Sequence, residues 1–120
     1  MPDVAYVGPT EADARSRYGD LSVGCSRADY GLTVRNAVTP NEGFVKLIYL
    51  LDGGRILACH LLGEDANTMV HYGSSIVNAE QTVFDVVKEV MAGVTYNECY
   101  RFAALDGMLK VAEHMQKPRI

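Results

Sequence analysis

Three histidines and three cysteines are the side chains of this 120-residue sequence that could shuttle a proton, attack an electrophile or hold a soft metal near neutral pH. Cys59 and His60 are adjacent, but they lie in a strand-like run where neighbours point to opposite faces, so they do not share one ion and no metal site is expected. Cys25, Cys59 and Cys99 are far apart, no CxxC occurs, and the odd count reads as plain thiols. His71 falls mid-helix between Val70 and Tyr72, and either hydrogen-bonds across a twofold axis or lies at the core margin. His114 reads as a solvated residue on the polar side of the last helix. Cys99 is near a helix amino-terminus, which lowers a thiol pKa, whereas burial raises it; the inert reading is favoured. A small independent enzyme or ligand binder using Cys59, Cys99 or the histidines would need a closed pocket where polar groups converge.

Glu98 stands in a recognisable local pattern. Thr95-Tyr96-Asn97-Glu98 matches a capping box, in which Thr95 caps the amide at Glu98 and the Glu98 carboxylate answers the amide at Thr95. A long final helix starts there. It carries two apolar seams, Phe102/Leu105/Leu109/Ala112 and Ala104/Met108/Val111/Met115, wider together than one core stripe requires, so it packs on two sides.

The elements before it follow from periodicity and turn chemistry. Val4-Ala5-Tyr6-Val7 is a strand closed by Gly8-Pro9, and Thr10, with Asp13 three residues on, caps a helix that Gly19 stops. Residues 21–30 alternate as a strand, and 31–41 form a turn-rich connection. Residues 44–51 and 56–62 flank Asp52-Gly53-Gly54-Arg55 as a β-hairpin. Its first strand is apolar on both faces, with Val45, Leu47, Tyr49 and Leu51 on one and Phe44, Ile48 and Leu50 on the other; a partner or covering loops would account for the second face. Ala66, Met69, Val70, Gly73, Ile76 and Val77 mark a core-facing helix in which Gly73 lets another backbone approach. Val83, Val86, Val87 and Val90 mark a shorter one ending near Ala92-Gly93. Strands and helices segregate in this order, which predicts an α+β fold with a mainly antiparallel sheet and helices packed on it.

Composition excludes several classes. With 48% hydrophobic and 22% charged residues the chain is an ordinary globular domain, and its net charge of −4 with no basic patch argues against nucleic acid. No apolar run reaches the roughly 18 residues of a membrane span, the longest being broken by Lys46. The opening Met1-Pro2-Asp3-Val4 does not read as a secretory signal, so a cytoplasmic address is expected.

Four phrases carry a likeness. Pro2-Asp3-Val4-Ala5-Tyr6-Val7-Gly8-Pro9-Thr10-Glu11 opens the chain, Gly43-Phe44-Val45-Lys46-Leu47 begins the hairpin, and Gly54-Arg55-Ile56-Leu57-Ala58-Cys59-His60-Leu61-Leu62-Gly63 returns it. The last is Glu98-Cys99-Tyr100-Arg101-Phe102-Ala103-Ala104-Leu105-Asp106-Gly107-Met108. Together they resemble the carboxy-terminal dimerisation domain of the pyridine nucleotide-disulfide oxidoreductases, such as glutathione reductase and dihydrolipoamide dehydrogenase. The last phrase and His71-Tyr72-Gly73 are most similar to the soluble transhydrogenase branch.

The resemblance implies the interface-domain fold of FAD/NAD-linked reductases, as one dimerisation domain over residues 1–120 with 117–120 a short tail. It implies a homodimer with His71, Thr95, Tyr96, Glu98, Arg101, Phe102 and Leu105 at the interface, and partner FAD- and NAD-binding domains in the parent chain. The full-length enzyme would pass hydride between NADPH and NAD through FAD. Family enzymes carry a His-Pro-Thr phrase and a following glutamate as a proton-handling dyad that enters the partner subunit; here Thr95 and Glu98 match, but Gly93 and Val94 stand where histidine and proline would be. Glu98 is thus either the surviving catalytic half or only a capping residue. The chain has neither a GxGxxG fingerprint nor a CxxxxC pair, so alone it is expected to bind no FAD or NAD and to be inactive. The alternative is a stand-alone small binding protein or a degenerate homologue without enzymatic activity.

Overall fold

The structure, a computed structural model, describes residues 3–33, 36–37, 41–89 and 96–116. Strand β1 (Asp3–Val7) leads into helix α1 (Glu11–Tyr18). Thr10 caps that helix by accepting the Asp13 amide at 3.1 Å, and Gly19, at φ +102°, ends it where a side chain would be strained. Strand β2 (Val23–Asp29) is shorter than the alternation predicts. Leu21 belongs to a single 3₁₀ turn and is 85% exposed, while Tyr30 opens another turn that directs its ring into the core.

Strands β3 (Phe44–Leu50) and β4 (Ile56–Gly63) form the expected hairpin, with Gly53 and Gly54 at φ +88° and +82° in the turn. The sheet order is β1-β4-β3-β2 and every pairing is antiparallel. Helix α2 (Ala66–Asn78) covers β1 and β4, helix α4 (Glu98–Gln116) covers β3 and β2, and the short helix α3 (Val83–Lys88) packs on α4. The fold is α+β, as segregation of the elements predicts.

Three details differ from the sequence reading. First, α3 stops at Lys88, ahead of the expected 92–93, because Glu89 adopts extended backbone at φ −69°, ψ 142°. Its start is a full capping box between Thr82 and Asp85, whereas the expected box at Glu98 involves Thr95, which lies outside the described residues. Second, what approaches Gly73 is no backbone: a Cβ there would lie 3.0 Å from the Tyr100 hydroxyl and 3.1 Å from Cys59 Cβ. Third, the second apolar face of β3 is packed under a helix and not under loops. Helix α1 lies over it, and Ala14, Val23, Ile48, Leu57 and Ala58 make a small core there. The main core, on the opposite face, contains Tyr30, Leu47, Tyr49, Cys59, Ile76, Tyr100 and Val111.

Candidate functional site

Helix α4 has two opposite sides, one fully packed within the chain and the other packed only in part. Cys99, Tyr100, Ala103, Ala104, Gly107 and Val111 are buried against the sheet and neighbouring helices. At 100° per residue, Glu98, Phe102, Leu105, Leu109 and Ala112 fall on the reverse side. There Phe102 and Leu105 are half-buried, Ala112 is exposed and Leu109 is 67% exposed. Of the two predicted seams, the one through Ala104 and Val111 faces the core, although Met115 at its end is 58% exposed. The other faces outward, an apolar stripe with nothing from the described residues closing over Leu109.

The rotation of α4 is held by polar contacts as well as packing. Tyr49 OH donates to Ser26 Oγ at 2.6 Å, and Ser26 in turn donates to Asp106 Oδ2 at 2.7 Å. Lys110 Nζ sits 3.1 Å from the same carboxylate and donates to the Cys25 carbonyl at 2.7 Å. Burial pushes the Asp106 carboxyl upward, but the Ser26 hydroxyl and Lys110 outweigh it and hold the group below its ordinary value. Gly107 lets the helix come down on the sheet, because a Cβ there would meet the Tyr49 ring at 3.1 Å and Val83 Cγ1 at 3.0 Å. Sequence reading missed Ser26 and Asp106: they are 80 residues apart and neither lies in a local pattern.

The expected interface residues divide. Glu98, Arg101, Phe102 and Leu105 lie at partly exposed positions of α4, and His71 is exposed on α2 rather than at the core margin. Arg101 Nε donates to the Val87 carbonyl at 3.3 Å, tying α4 to α3. Tyr96, also expected at the interface, is 1% exposed in this chain, and its ring lies on that of Tyr30. Thr95 and Gly93 lie outside the described residues.

The remaining candidates have structural surroundings. Burial pushes the Cys59 and Cys99 thiols up to about 12, so the helix amino-terminus does not prevail at Cys99. Cys25 is half-buried and is raised chiefly by burial. His60 hydrogen-bonds the Pro9 carbonyl at 3.1 Å and stacks against Tyr6 on the face opposite buried Cys59. His114 is half-buried, not solvated, since it falls on the sheet side of α4 and lines a groove with Cys25, Val23 and Lys110. Among the described residues no group of three or more His, Cys, Asp and Glu could hold a metal ion, and no helix is long and apolar enough to cross a membrane.

The chain has relatives among known proteins. The chain is 31% identical over 112 residues to a soluble pyridine nucleotide transhydrogenase of Mycobacterium bovis, covering 92% of this chain and 24% of that protein. A protein of the same name from a Marinomonas species is 29% identical over 115 residues, with the same shares covered. The chain therefore spans about a quarter of the length of the curated relatives it matches. Among solved structures it superposes on LpdA of Mycobacterium tuberculosis with a TM-score of 0.78 at 16% identity, over 88% of this chain and 23% of that one. The flavoprotein disulfide reductase RclA of Escherichia coli gives 0.75 at 18% identity, over 88% and 25%. These two likenesses concern the fold, while the profile of the pyridine nucleotide-disulphide oxidoreductase dimerisation domain matches residues 1–104. On that match, the chain belongs to the dimerisation-domain family of the pyridine nucleotide-disulphide oxidoreductases.

Proposed function

We propose that this chain is the module through which a flavin-dependent oxidoreductase of soluble transhydrogenase type forms a homodimer, with the outward side of α4 as the surface that meets the second copy. The observation that carries this reading is the outward stripe of half-buried Phe102 and Leu105 and exposed Leu109, opposite a fully packed one. Glu98, Arg101 and His71 supply polar groups around it. A self-complementary stripe on a rigid helix suits a twofold interface, in which each copy presents the same patch.

The nucleotide cofactors are assigned to other parts of the longer enzyme, because the strand-to-helix junctions described here do not fit a dinucleotide. At the β1–α1 junction, Val7-Gly8-Pro9-Thr10-Glu11 is not the glycine-rich turn that lets a backbone close on a pyrophosphate, and Pro9 has no amide hydrogen to offer. At the β4–α2 junction, Glu64 and left-handed Asp65 put carboxylates where a phosphate would bind. Hydride transfer between NADPH and NAD through FAD is accordingly proposed for the full-length protein, in the cytoplasm, and not for this domain. Its contribution there is to hold two subunits in one fixed arrangement, with Glu98 near the contact.

Sedimentation velocity tests the reading. The 120-residue chain is expected to associate reversibly to a dimer. Leu109→Lys places an ammonium in the stripe and should weaken association by about tenfold or more, with monomer stability changed by less than about 0.5 kcal/mol. A chain that stays monomeric at high concentration would overturn it.

A further inference from the structure

We propose that Tyr96, stacked on Tyr30, is a positioning residue: it fixes the entry of α4 so that the outward stripe is presented to a second copy in a single orientation. This rests on the dimerisation reading above and adds to it the device that aims the surface. The two rings are nearly parallel, 7° apart with centroids at 3.8 Å, and both side chains are fully buried. Tyr30 is itself held in a slot. A Cβ on Gly43 or Gly63 would lie 2.7 or 2.8 Å from its ring, so two glycines make the room, and its hydroxyl donates to the Glu64 carbonyl at 2.5 Å. The Tyr96 hydroxyl receives Asn41 Nδ2 at 3.1 Å and donates to Asn36 Oδ1 at 3.4 Å.

Tyr96 therefore joins a rigid support to the first turn of α4, whose opening hydrogen bonds include Cys99 N to Tyr96 O at 3.0 Å. Glu98 follows two residues later and Phe102 one turn after that. Ser26 and Asp106 hold the middle of the helix, and Tyr100 and Arg101 tie its first turns to α2 and α3; the Tyr96 ring adds a fixed point on the β2 side, where the chain enters the helix. A twofold contact gains from this because both copies must present the same stripe, and ordering it before contact removes an entropic cost from association. An aromatic ring suits the task, as it has two side-chain torsions and a large flat contact.

The test is a double-mutant cycle on the dimer dissociation constant, using Tyr96→Leu, Tyr30→Leu and the pair. Each single exchange is expected to weaken association about tenfold, with the double exchange costing little more than either alone, since both remove the same stack. Tyr96→Phe, which keeps the ring, should remain within about twofold of the parent chain. Ile48→Val, which loosens the α1 side of the sheet, serves as the stability control and should leave the constant unchanged. If Tyr96→Leu does not fold, Tyr96→Met, which keeps volume but not the flat ring, takes its place. A parent chain that dimerises equally well with and without the stack overturns the positioning role alone, whereas a parent chain that never dimerises overturns the reading on which it rests.

Discussion

Helices α1 and α4 lie on opposite faces of one sheet, and they treat their outer surfaces in opposite ways. Helix α1 buries Ala14 alone and turns Asp13, Ser16 and Arg17 to solvent, so its apolar contacts end at the sheet. Beside it the polar edge is closed by Glu11, which pairs with Lys46 at 2.9 Å and Arg15 at 2.9 Å. Helix α4 buries six residues and still carries Phe102, Leu105 and Leu109 on its reverse. A surface helix needs one apolar face to join a core, and a second one is unfavourable in water unless something covers it. The difference separates a face finished by charged residues from the face on which the proposed interface is placed.

The largest effect expected on this comparison comes from the inner side of α4. The Tyr100 ring meets Tyr72 edge-on at 4.8 Å and its hydroxyl donates to the Met69 carbonyl at 2.5 Å. Tyr100→Ala should cost about 3–5 kcal/mol in urea denaturation, since it empties the contact between α2 and α4. Tyr100→Phe should cost only about 0.5–1.5 kcal/mol, the value of one hydrogen bond. Equal losses from the two exchanges would show that the ring contributes little and would undo the picture of α4 as firmly seated.

Next in size is the closed face. Ile48, fully buried beneath α1, should cost about 2–3 kcal/mol on truncation to Ala, toward the low end for a core isoleucine because this small cluster can collapse around the gap. The oligomeric state measured alongside should not change. An altered dissociation constant would mean that the α1 face also takes part in association, and the contrast between the two faces would fail.

Much of this arrangement is legible in the sequence where the cause is local. The caps at Thr10 and Gly19, the Gly53-Gly54 hairpin and the stripe from Ala66 to Ile76 each follow from neighbouring residue types, and the structure has them. The double apolar pattern of α4 is legible too, because a helix repeat is visible in one stretch of chain. What covers the second face of β3 is not, since α1 reaches it from about thirty residues earlier and its inward apolar residues are only Ala14 and the half-buried Tyr18. The Tyr30–Tyr96 stack and the Ser26–Asp106 bond are hidden for the same reason: each joins segments that no periodicity relates. The resemblance puts Tyr96 at the dimer interface, and nothing in the sequence beside it points to the ring of Tyr30.

The smallest effect concerns the polar edge of α1 and gives the comparison an electrostatic test. Hydrogen bonds from Lys46 and then Arg15 hold the Glu11 carboxyl below its ordinary value of 4.5. A carboxyl lowered on folding stabilises the native state above its unfolded value, and that contribution is lost as the pH falls through the lower folded value. The pair is partly exposed and screened, so the contribution is under about 1 kcal/mol. Glu11→Gln should therefore lower stability slightly near neutral pH and converge with the parent chain once the pH has fallen below the lowered folded value, when both carry a neutral side chain there. Added salt should shrink the difference at neutral pH, as it does for exposed pairs. Because this edge is finished by charges and not by apolar contact, Glu11→Gln should not move the monomer–dimer balance, which is proposed to rest on the outward side of α4; a shift in that balance would place the α1 edge in the interface.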